Sequence, residues 1–231
     1  MMVPFHCTED DIQFAGLTCT EEDPCPIYLE LTGLESTGSR IFTGGNLHSS
    51  GVTLYSILLG SEDAGVTWRE LHERIRGAGL DRIQFVDPDV GLASGGVLFP
   101  LAQDPFMLLT TDGGKTWRHS AIFSDSSENH YGAIQQFSFP SKNSGSLIVD
   151  RGQGSDGDRY ELYESADGGN SWTIRESSRK PLRLKAPPPV SADWRLRSDG
   201  PSRSFHIEHR QGEHWSTVAA FAVRVGACKP Q

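Results

Sequence analysis

The feature that most constrains this chain is a short motif, ending in tryptophan, that recurs along it. The motif reads SEDAGVTW, TTDGGKTW and SADGGNSW, and these copies end at Trp68, Trp117 and Trp172. A fourth segment, EHRQGEHW, ends at Trp215; it has lost the aspartate but keeps a glycine three residues before the tryptophan. A motif that returns at intervals of roughly 45 to 55 residues indicates a repeated structural unit rather than a single site.

Each repeated unit has the composition of a small antiparallel sheet. Three short segments rich in Leu, Ile, Phe, Tyr and Thr precede the motif, and a fourth follows it. Such segments favour β-strands, and four strands in a repeat of about 50 residues are typical of a propeller blade. An immunoglobulin-like sandwich is the alternative, but it gives no reason for a turn motif to recur. Only WRELHERIRGAG, residues 68–79, resembles a helix, and we interpret it as a strand that runs into a loop.

The sequence therefore predicts an all-β protein, a β-propeller of four blades with four antiparallel strands in each. Four blades is the low end of the usual range, and a ring of larger size built from two chains is the less economical alternative. The predicted organisation is an N-terminal extension with cysteines, residues 1–26, and a single propeller domain, residues 27–231, with blades at about 27–76, 77–124, 125–178 and 179–225.

Charge and hydropathy argue against nucleic-acid binding and against a transmembrane segment. The net charge is −9, and no stripe of basic residues is present that could neutralise phosphates, so we expect no nucleic acid to bind. No apolar run approaches the ~20 residues that span a bilayer, so we expect no transmembrane segment. The N-terminus, MMVPFHCTEDD, has no basic region followed by an apolar one. Either the protein is not exported, or its signal peptide is not part of this sequence.

The four cysteines favour export. Cys7, Cys19 and Cys25 precede the first predicted strand, and Cys228 follows the last one. Their spacing does not fit a zinc site, whereas an even number at the two chain ends suits a disulfide clasp, which persists only in an oxidising compartment. Four unrelated thiols in a cytosolic protein are the alternative. Since a propeller must bring its ends together, we expect Cys228 to bond to one of the other three, and the remaining two to pair with each other.

Every residue of the motif has a local structural role. The pattern is Ser/Thr-x-Asp-x-Gly-x-Thr/Ser-Trp, in which the aspartate can accept hydrogen bonds from its own turn and the glycine can supply a positive φ. The hydroxyl can bond across the turn, and the tryptophan can anchor the hairpin to its sheet. The residues assigned these structural roles are Asp63, Gly65, Thr67, Trp68, Asp112, Gly114, Thr116, Trp117, Asp167, Gly169, Ser171, Trp172 and the isolated Trp215.

No metal or cofactor site is predicted. Each motif offers one carboxylate, which is too few for calcium. The eight histidines are scattered, and His206 and His209 fall on opposite faces of one predicted strand. No serine lies in a nucleophile-elbow pattern. We therefore expect no catalytic residue, no metal and no cofactor.

The three strongest motif copies resemble the Asp-box, or BNR, repeats, and the likeness covers about residues 27–223. The family includes sialidases, ectodomains of sorting receptors and photosystem II assembly factor-like propellers. The frame IQFVDPDVGLASGG followed by LLTTDGGKTW is most similar to the last group. The resemblance implies a propeller that binds proteins outside the cytosol, with its Asp boxes at the outer rim and away from the ligand-binding face. Sialidases resemble six-bladed rings and the assembly factors seven-bladed ones, so this chain departs from both in number.

A sialidase activity is the alternative that this resemblance raises. Such an enzyme needs an arginine cluster for the substrate carboxylate, together with a tyrosine nucleophile beside a glutamate. Before the first motif the only arginine is Arg40, and its segment lacks the Arg-Ile-Pro-like signature. The segment RYELYES contains Tyr160, Glu161, Tyr163 and Glu164, but it runs directly into a motif and is therefore expected to be an outer strand. We interpret these residues as structural.

The most consistent function is binding or scaffolding without catalysis, by an extracytoplasmic protein that is periplasmic or secreted. The alternatives are a glycan-binding or sialidase-like protein, and an accessory subunit of a larger membrane-associated complex. The expected partner is another protein or a membrane-protein complex. In a propeller, the loops between the second and third strands and between successive blades share one face. The residues predicted to bind an acidic partner on that face are Arg74, Arg76, His130, Tyr131, Arg159, Arg179 and Lys180.

Overall fold

The computed structural model describes residues 1–123, 130–153, 157–185 and 193–230. Within these ranges the chain forms one short helix and sixteen strands, and no helix there is long and apolar enough to cross a membrane. The elements are α1 (Glu9–Ala15), β1 (Cys25–Thr37), β2 (Arg40–His48), β3 (Thr53–Ser61), β4 (Arg69–Glu70), β5 (Ala78–Phe85), β6 (Gly91–Val97), β7 (Gln103–Thr110), β8 (Arg118–Ala121), β9 (Ala133–Ser138), β10 (Gly145–Asp150), β11 (Tyr160–Ser165), β12 (Thr173–Ser178), β13 (Trp194–Asp199), β14 (Ser204–Gln211), β15 (His214–Ala222) and β16 (Arg224–Cys228).

The strands form four antiparallel sheets, which confirms the predicted all-β architecture of four blades. The second and third sheets are four-stranded meanders, in the order β5-β6-β7-β8 and β9-β10-β11-β12. Among the described residues, the number of strands departs from four in the two sheets at the chain ends. The first sheet has five strands, because β16 pairs with the edge of β1, and the fourth sheet has the three strands β13 to β15. The helix-like segment 68–79 contains only β4 and a loop leading into β5, as expected.

Apolar side chains hold neighbouring sheets together face to face. The first and fourth sheets share a core that includes Ile27, Leu29 and Phe221, all at most 2% exposed. A second core, between the first and second sheets, contains the stacked rings of Phe42 and Phe85, whose centroids are 4.5 Å apart. Because each strand alternates its side chains between two faces, these short apolar strands can pack on both sides.

A third core joins the second and third sheets and includes Leu92, Met107, Phe139 and Leu147. The sheets are therefore stacked in the order fourth, first, second, third. Among the described strands, the extensive packing occurs between these neighbours and not between the third sheet and the fourth. The predicted domain limits remain a prediction, with β1 beginning at Cys25 and β5, β9 and β13 each opening a new sheet.

Two disulfides fasten the N-terminal extension to the sheets. Cys7 bonds to Cys228, with Cα atoms 5.1 Å apart, and Cys19 bonds to Cys25. The expected bond between the two ends of the chain and the local second bond are thus both present. Cys25 and Cys228 are also paired residues of β1 and β16, so the clasp lies where the last strand joins the first sheet.

The motif turns share one hydrogen-bonded geometry. In the second copy, Asp112 accepts bonds from the backbone N–H of Thr116 at 3.0 Å and from its hydroxyl at 2.6 Å. Gly114 has a φ of +84°, a conformation that favours glycine, and its carbonyl accepts a bond from Trp117 Nε1 at 3.1 Å. The Thr110 hydroxyl, which sequence reasoning left without a role, donates to Asp112 and accepts from the Gly114 N–H.

The other copies depart from this pattern at single positions. In the first, Ala64 occupies a left-handed conformation, with a φ of 56°, where the second and third copies have glycine. In the third, the buried Nε1 of Trp172 has no hydrogen-bond partner among the described residues. In the fourth segment, Trp215 is part of β15, and its ring lies 4.2 Å from the guanidinium carbon of Arg195. Trp215 is therefore in contact with a charged side chain, unlike the tryptophans of the three complete motifs.

Candidate binding face

The connections between strands divide the molecule into two ends. The motif turns β3–β4, β7–β8 and β11–β12 lie at one end of their meanders. The connections β2–β3, β4–β5, β6–β7, β8–β9 and β10–β11 lie at the other end, which we call the loop face. Because successive connections of an antiparallel meander alternate between its ends, this division could be predicted from the sequence. The sequence does not show which of the loops are covered by other parts of the chain.

The N-terminal extension covers part of the loop face and contacts two of the predicted binding residues. Arg74 donates to the Pro4 carbonyl at 2.7 Å and pairs with Glu70, and its guanidinium carbon lies 5.9 Å from the centroid of the Phe5 ring. Arg76 lies 5.4 Å from the centroid of the Phe14 ring. These arginines are engaged within the chain, so they are not the free cations that the sequence suggested.

Asp11 is the charged centre of this contact and is only 2% exposed. Its carboxylate accepts a hydrogen bond from the Tyr55 hydroxyl and lies 3.7 Å from Arg76. It also caps α1, since it accepts bonds from both the backbone N–H and the hydroxyl of Thr8. Burial raises the pKa of Asp11, but the hydrogen bonds from Tyr55 and Thr8, with the Arg76 charge, more than offset it, so that the pKa lies below its usual value.

A second cluster lies between the second and third sheets, near the β8–β9 and β10–β11 connections. The Tyr163 hydroxyl donates to Glu161 at 2.8 Å, and Arg151 Nε lies 3.8 Å from the same carboxylate. The ring of Phe123 stacks on His130, with centroids 4.4 Å apart. The guanidinium carbon of Arg151 lies 5.0 Å from the centroid of the Phe123 ring. The hydroxyl–carboxylate contact was missed from sequence, although alternation does place residues 161 and 163 on one strand face.

The chemistry of this cluster is that of a paired, largely protonated phenol. Burial, the hydrogen bond to Glu161 and the charge of Glu161 raise the pKa of Tyr163 far above its usual value. A tyrosine nucleophile needs the opposite shift, toward the phenolate. The Glu161 carboxylate beside Arg151 also offsets much of the positive charge that binding of an anionic substrate would require.

The remaining predicted residues are distributed unevenly. Arg159 holds Asp150 through two hydrogen bonds of 2.7 Å, so its planar group is already occupied. Arg179 is 87% exposed on its side chain and reaches only to 3.7 Å from Asp158. Lys180 is exposed. The structure therefore leaves the cations after β12 available and ties the others to the protein itself.

Two exposed apolar residues lie on neighbouring backbone segments of the loop face. Leu101 is 60% exposed in the β6–β7 connection, and Tyr131 is 49% exposed in the β8–β9 connection. The backbone fixes these segments side by side, since Gly132 N–H donates to the Ala102 carbonyl at 2.9 Å and Tyr131 forms a bridge with Gln103. Tyr131 was predicted as a binding residue, whereas Leu101 was not, because the sequence gives no measure of exposure.

The turn end has a cavity of a different kind. A polar cavity of about 450 Å³ opens beside the third motif turn and is lined by Ser146, Thr173, Glu164 and Arg175, among others. Glu164 and Arg175 face one another at 3.5 Å. Among the described residues, no group of three or more His, Cys, Asp or Glu side chains is placed to hold a metal ion.

Comparison with known proteins gives structural likeness without a family. No protein-family model matches the chain, and no curated protein matches it. A structure of YCF48 bound to D1 peptide is 18% identical, with a TM-score of 0.45, over 84% of this chain and 56% of that one. YCF48 from Cyanidioschyzon merolae is 18% identical, with a TM-score of 0.43, over 84% and 57%. The GH74 xyloglucanase from Xanthomonas campestris is 22% identical, with a TM-score of 0.43, over 60% and 19%.

The chain therefore spans little more than half the length of the YCF48 chains and about a fifth of the xyloglucanase. These likenesses assign no ligand or activity to it.

Proposed function

We propose that this protein is a non-catalytic binding or scaffolding module that recognises another protein through its loop face. The observation that carries the proposal is that Leu101 and Tyr131 are both exposed on two loop segments whose backbones are hydrogen-bonded to each other. Tyrosine is enriched at the centres of protein interfaces because its ring buries a large area at low cost in conformational entropy. An apolar pair ordered before binding loses little further freedom on association.

The distribution of titratable groups supports binding over hydrolysis. Tyr163 is hydrogen-bonded to Glu161 with its pKa raised, and Arg159 is occupied by Asp150. Groups paired in this way stabilise the fold and are poorly placed to attack a substrate. The two disulfides support a location outside the cytosol, where such bonds persist. A soluble subunit of a membrane-associated complex fits the same observations.

The test compares capture of partners by the wild-type protein and by variants of the apolar pair. Protein immobilised through its C-terminus is exposed to native membrane and extracytoplasmic extracts, and bound proteins are identified by mass spectrometry. We expect a partner that the wild type retains and that Leu101→Asp and Tyr131→Ala both lose. The matched control is Val66→Asp, since Val66 is 75% exposed on the first motif turn at the opposite end.

Equal capture by Leu101→Asp and the wild type would contradict a protein-binding loop face. Specific retention on an array of neutral and acidic glycans, with no protein partner, would instead favour the glycan-binding alternative.

A further inference from the structure

The segment that follows β12 concentrates positive charge on an acidic protein. Residues 179–185 read RKPLRLK and carry four cations, while the whole chain has a net charge of −9. We call residues 179–185 the basic linker. The sequence singled out only its first two residues, Arg179 and Lys180, as binding candidates.

The cations of the basic linker are exposed and, among the described residues, almost free of ion pairs. Elsewhere on the loop face, Arg74 and Arg159 are held by carboxylates at hydrogen-bond distance, Arg159 by Asp150 at 2.7 Å, whereas Arg76 lies 3.7 Å from Asp11. In the basic linker only Arg179 approaches a carboxylate, that of Asp158 at 3.7 Å, and its side chain is 87% exposed. The linker cations that form no ion pair with any described residue are Lys180, Arg183 and Lys185.

The backbone of the basic linker is held by hydrogen bonds, and its leucines are partly buried. Leu184 N–H donates to Gln136 Oε1 of β9 at 3.0 Å, and Lys180 N–H donates to the Ser178 hydroxyl at 3.1 Å. Leu182 and Leu184 are partly buried, whereas Arg183 and Lys185 are exposed. This alternation is that of an extended chain, in which residues two apart lie on the same side at a spacing of about 7 Å.

We propose that the basic linker binds an acidic segment of the partner protein in an extended conformation, with carboxylates at alternate positions. This inference rests on the proposed function, because it describes the chemistry of the partner of a binding module. An extended peptide repeats its side chains at the same spacing as Arg183 and Lys185, so alternate carboxylates of such a peptide can each meet one cation. Among the described residues, Lys180, Arg183 and Lys185 form no ion pair that binding would have to break.

A peptide fits the basic linker better than an anionic membrane does. The cations occupy a single narrow segment, and Glu176 and Asp158 lie beside it in the sequence or in space. A flat anionic surface would bring these carboxylates, and a protein of charge −9, against the lipid headgroups. One peptide strand avoids most of that repulsion. The leucines of the linker, Leu182 and Leu184, are partly buried and so offer a bilayer little apolar surface.

The experiment uses the intact, oxidised protein and a fluorescent peptide in which Glu and Ser alternate over twelve positions. A second peptide has the same composition with its glutamates in one block. Fluorescence anisotropy at about 50 and 150 mM salt measures binding to the wild type and to a triple variant, Lys180→Gln/Arg183→Gln/Lys185→Gln. The matched control variant, Lys115→Gln/Arg203→Gln/Lys229→Gln, removes the same charge from exposed positions outside the linker.

We expect the alternating peptide to bind the wild type at least threefold more tightly than the block peptide. The linker variant should lose at least tenfold in affinity, the control variant at most about twofold, and the higher salt should weaken binding because the contacts are exposed. Equal losses of peptide affinity in the linker variant and the control variant would show that only the overall charge matters, and would overturn the proposal. So would binding to phosphatidylglycerol vesicles without binding to the peptide.

The outcome is separable from that of the proposed function. If Leu101→Asp abolishes capture of the partner while the linker variant captures it normally, the binding module stands and the acidic segment is refuted. If the linker variant loses the peptide but neither Leu101→Asp nor Tyr131→Ala affects any partner, the linker inference stands and the apolar loop-face contact is refuted.

Discussion

Gln84 offers a direct test of how adjacent sheets are joined. Its side chain lies in β5 of the second sheet, is 8% exposed, and bridges to the backbone just after β9 of the third sheet. Gln84 Nε2 donates to the Phe139 carbonyl at 2.8 Å, and the Phe139 N–H donates to Gln84 Oε1 at 3.1 Å. One amide therefore satisfies both polar groups of a buried residue whose own ring is 2% exposed.

Replacement of Gln84 by methionine keeps the volume of the side chain and removes both hydrogen bonds. The Phe139 N–H and carbonyl groups would then be buried without partners, and each such group costs about 1 to 3 kcal/mol. We expect Gln84→Met to lower the free energy of unfolding by about 2 to 6 kcal/mol in total. The control is Gln135→Met on the neighbouring β9, where the side chain is exposed and the change should stay within about 0.5 kcal/mol.

Gln84→Glu separates the loss of hydrogen bonds from a change in packing. The ionised carboxylate can still accept from the Phe139 N–H, but it faces the Phe139 carbonyl with no proton to donate. Its pKa in the folded protein should therefore be raised above the unfolded value of about 4.3. The destabilisation should be greatest at neutral pH and shrink as the pH falls through the raised folded pKa, because the protonated acid can donate again.

The assay is urea unfolding at 25 °C with the disulfides intact, together with hydrogen exchange of the Phe139 amide. A Gln84→Met variant within about 0.5 kcal/mol of the wild type, with unchanged protection of that amide, would refute this account of the sheet contact. A pH-independent loss in Gln84→Glu would show instead that packing, and not the donor–acceptor pattern, determines the cost.

Further measurements test the motif turns, the clasp and the absence of hydrolysis. Asp112→Ala should cost on the order of 1 kcal/mol in unfolding free energy and Trp117→Ala about 3 kcal/mol or more; an unchanged melting temperature with a lost activity would contradict a structural role. Hydrogen bonds from the turn hydroxyl and N–H groups hold the pKa of each motif aspartate at about 2, below the unfolded value. The stability that these carboxylates contribute is therefore complete above about pH 4 and is lost as the pH falls through about 2. Acid unfolding curves of Asp-to-Asn variants test this, because the variants should lose the pH dependence. Peptide mapping under thiol-blocking, non-reducing conditions should recover Cys7 linked to Cys228, and recovery of alkylated Cys228 alone would refute the clasp. A fluorogenic sialoside should not be turned over at high protein concentration, and activity that disappears in Tyr163→Phe would overturn the non-catalytic proposal.

The local geometry of the motif turns could be predicted from sequence because each turn is determined by its own residues. An aspartate two positions before a glycine and four before a hydroxyl residue can close the turn wherever it occurs. The Asp112 bonds to Thr116 and the positive φ of Gly114 therefore follow from the pattern. The fourth segment lacks the aspartate, and its Trp215 contacts Arg195 in place of a turn carbonyl. The motif therefore predicts the turn geometry only in the copies that retain the aspartate.

The candidate site could not be predicted to the same depth, because it depends on contacts between distant parts of the chain. Arg74 and Arg76 have the same sequence character as Arg179, yet Pro4 and Asp11 engage the first two and leave the third exposed. The path of the N-terminal extension determines which arginines are engaged within the chain. The sequence of the extension has no periodic pattern from which that path could be predicted. The five-stranded first sheet has the same origin, since the pairing of β16 with β1 is a contact between the two chain ends.

The extension also determines which part of the loop face a partner can reach. It is fixed by disulfides on both sides of α1, at Cys7 and Cys19, and the Asp11 carboxylate secures the helix between them. Its contacts lie on β15 of the fourth sheet, on the first sheet and on Phe99 before β7, whereas Tyr131 and the basic linker lie toward the third sheet. Because the covered part already has its apolar and charged groups satisfied, a partner gains little by displacing the extension. In the proposed binding mode, binding energy therefore comes chiefly from the second and third sheets, which hold the exposed Leu101 and Tyr131 and the linker cations that form no ion pair among the described residues.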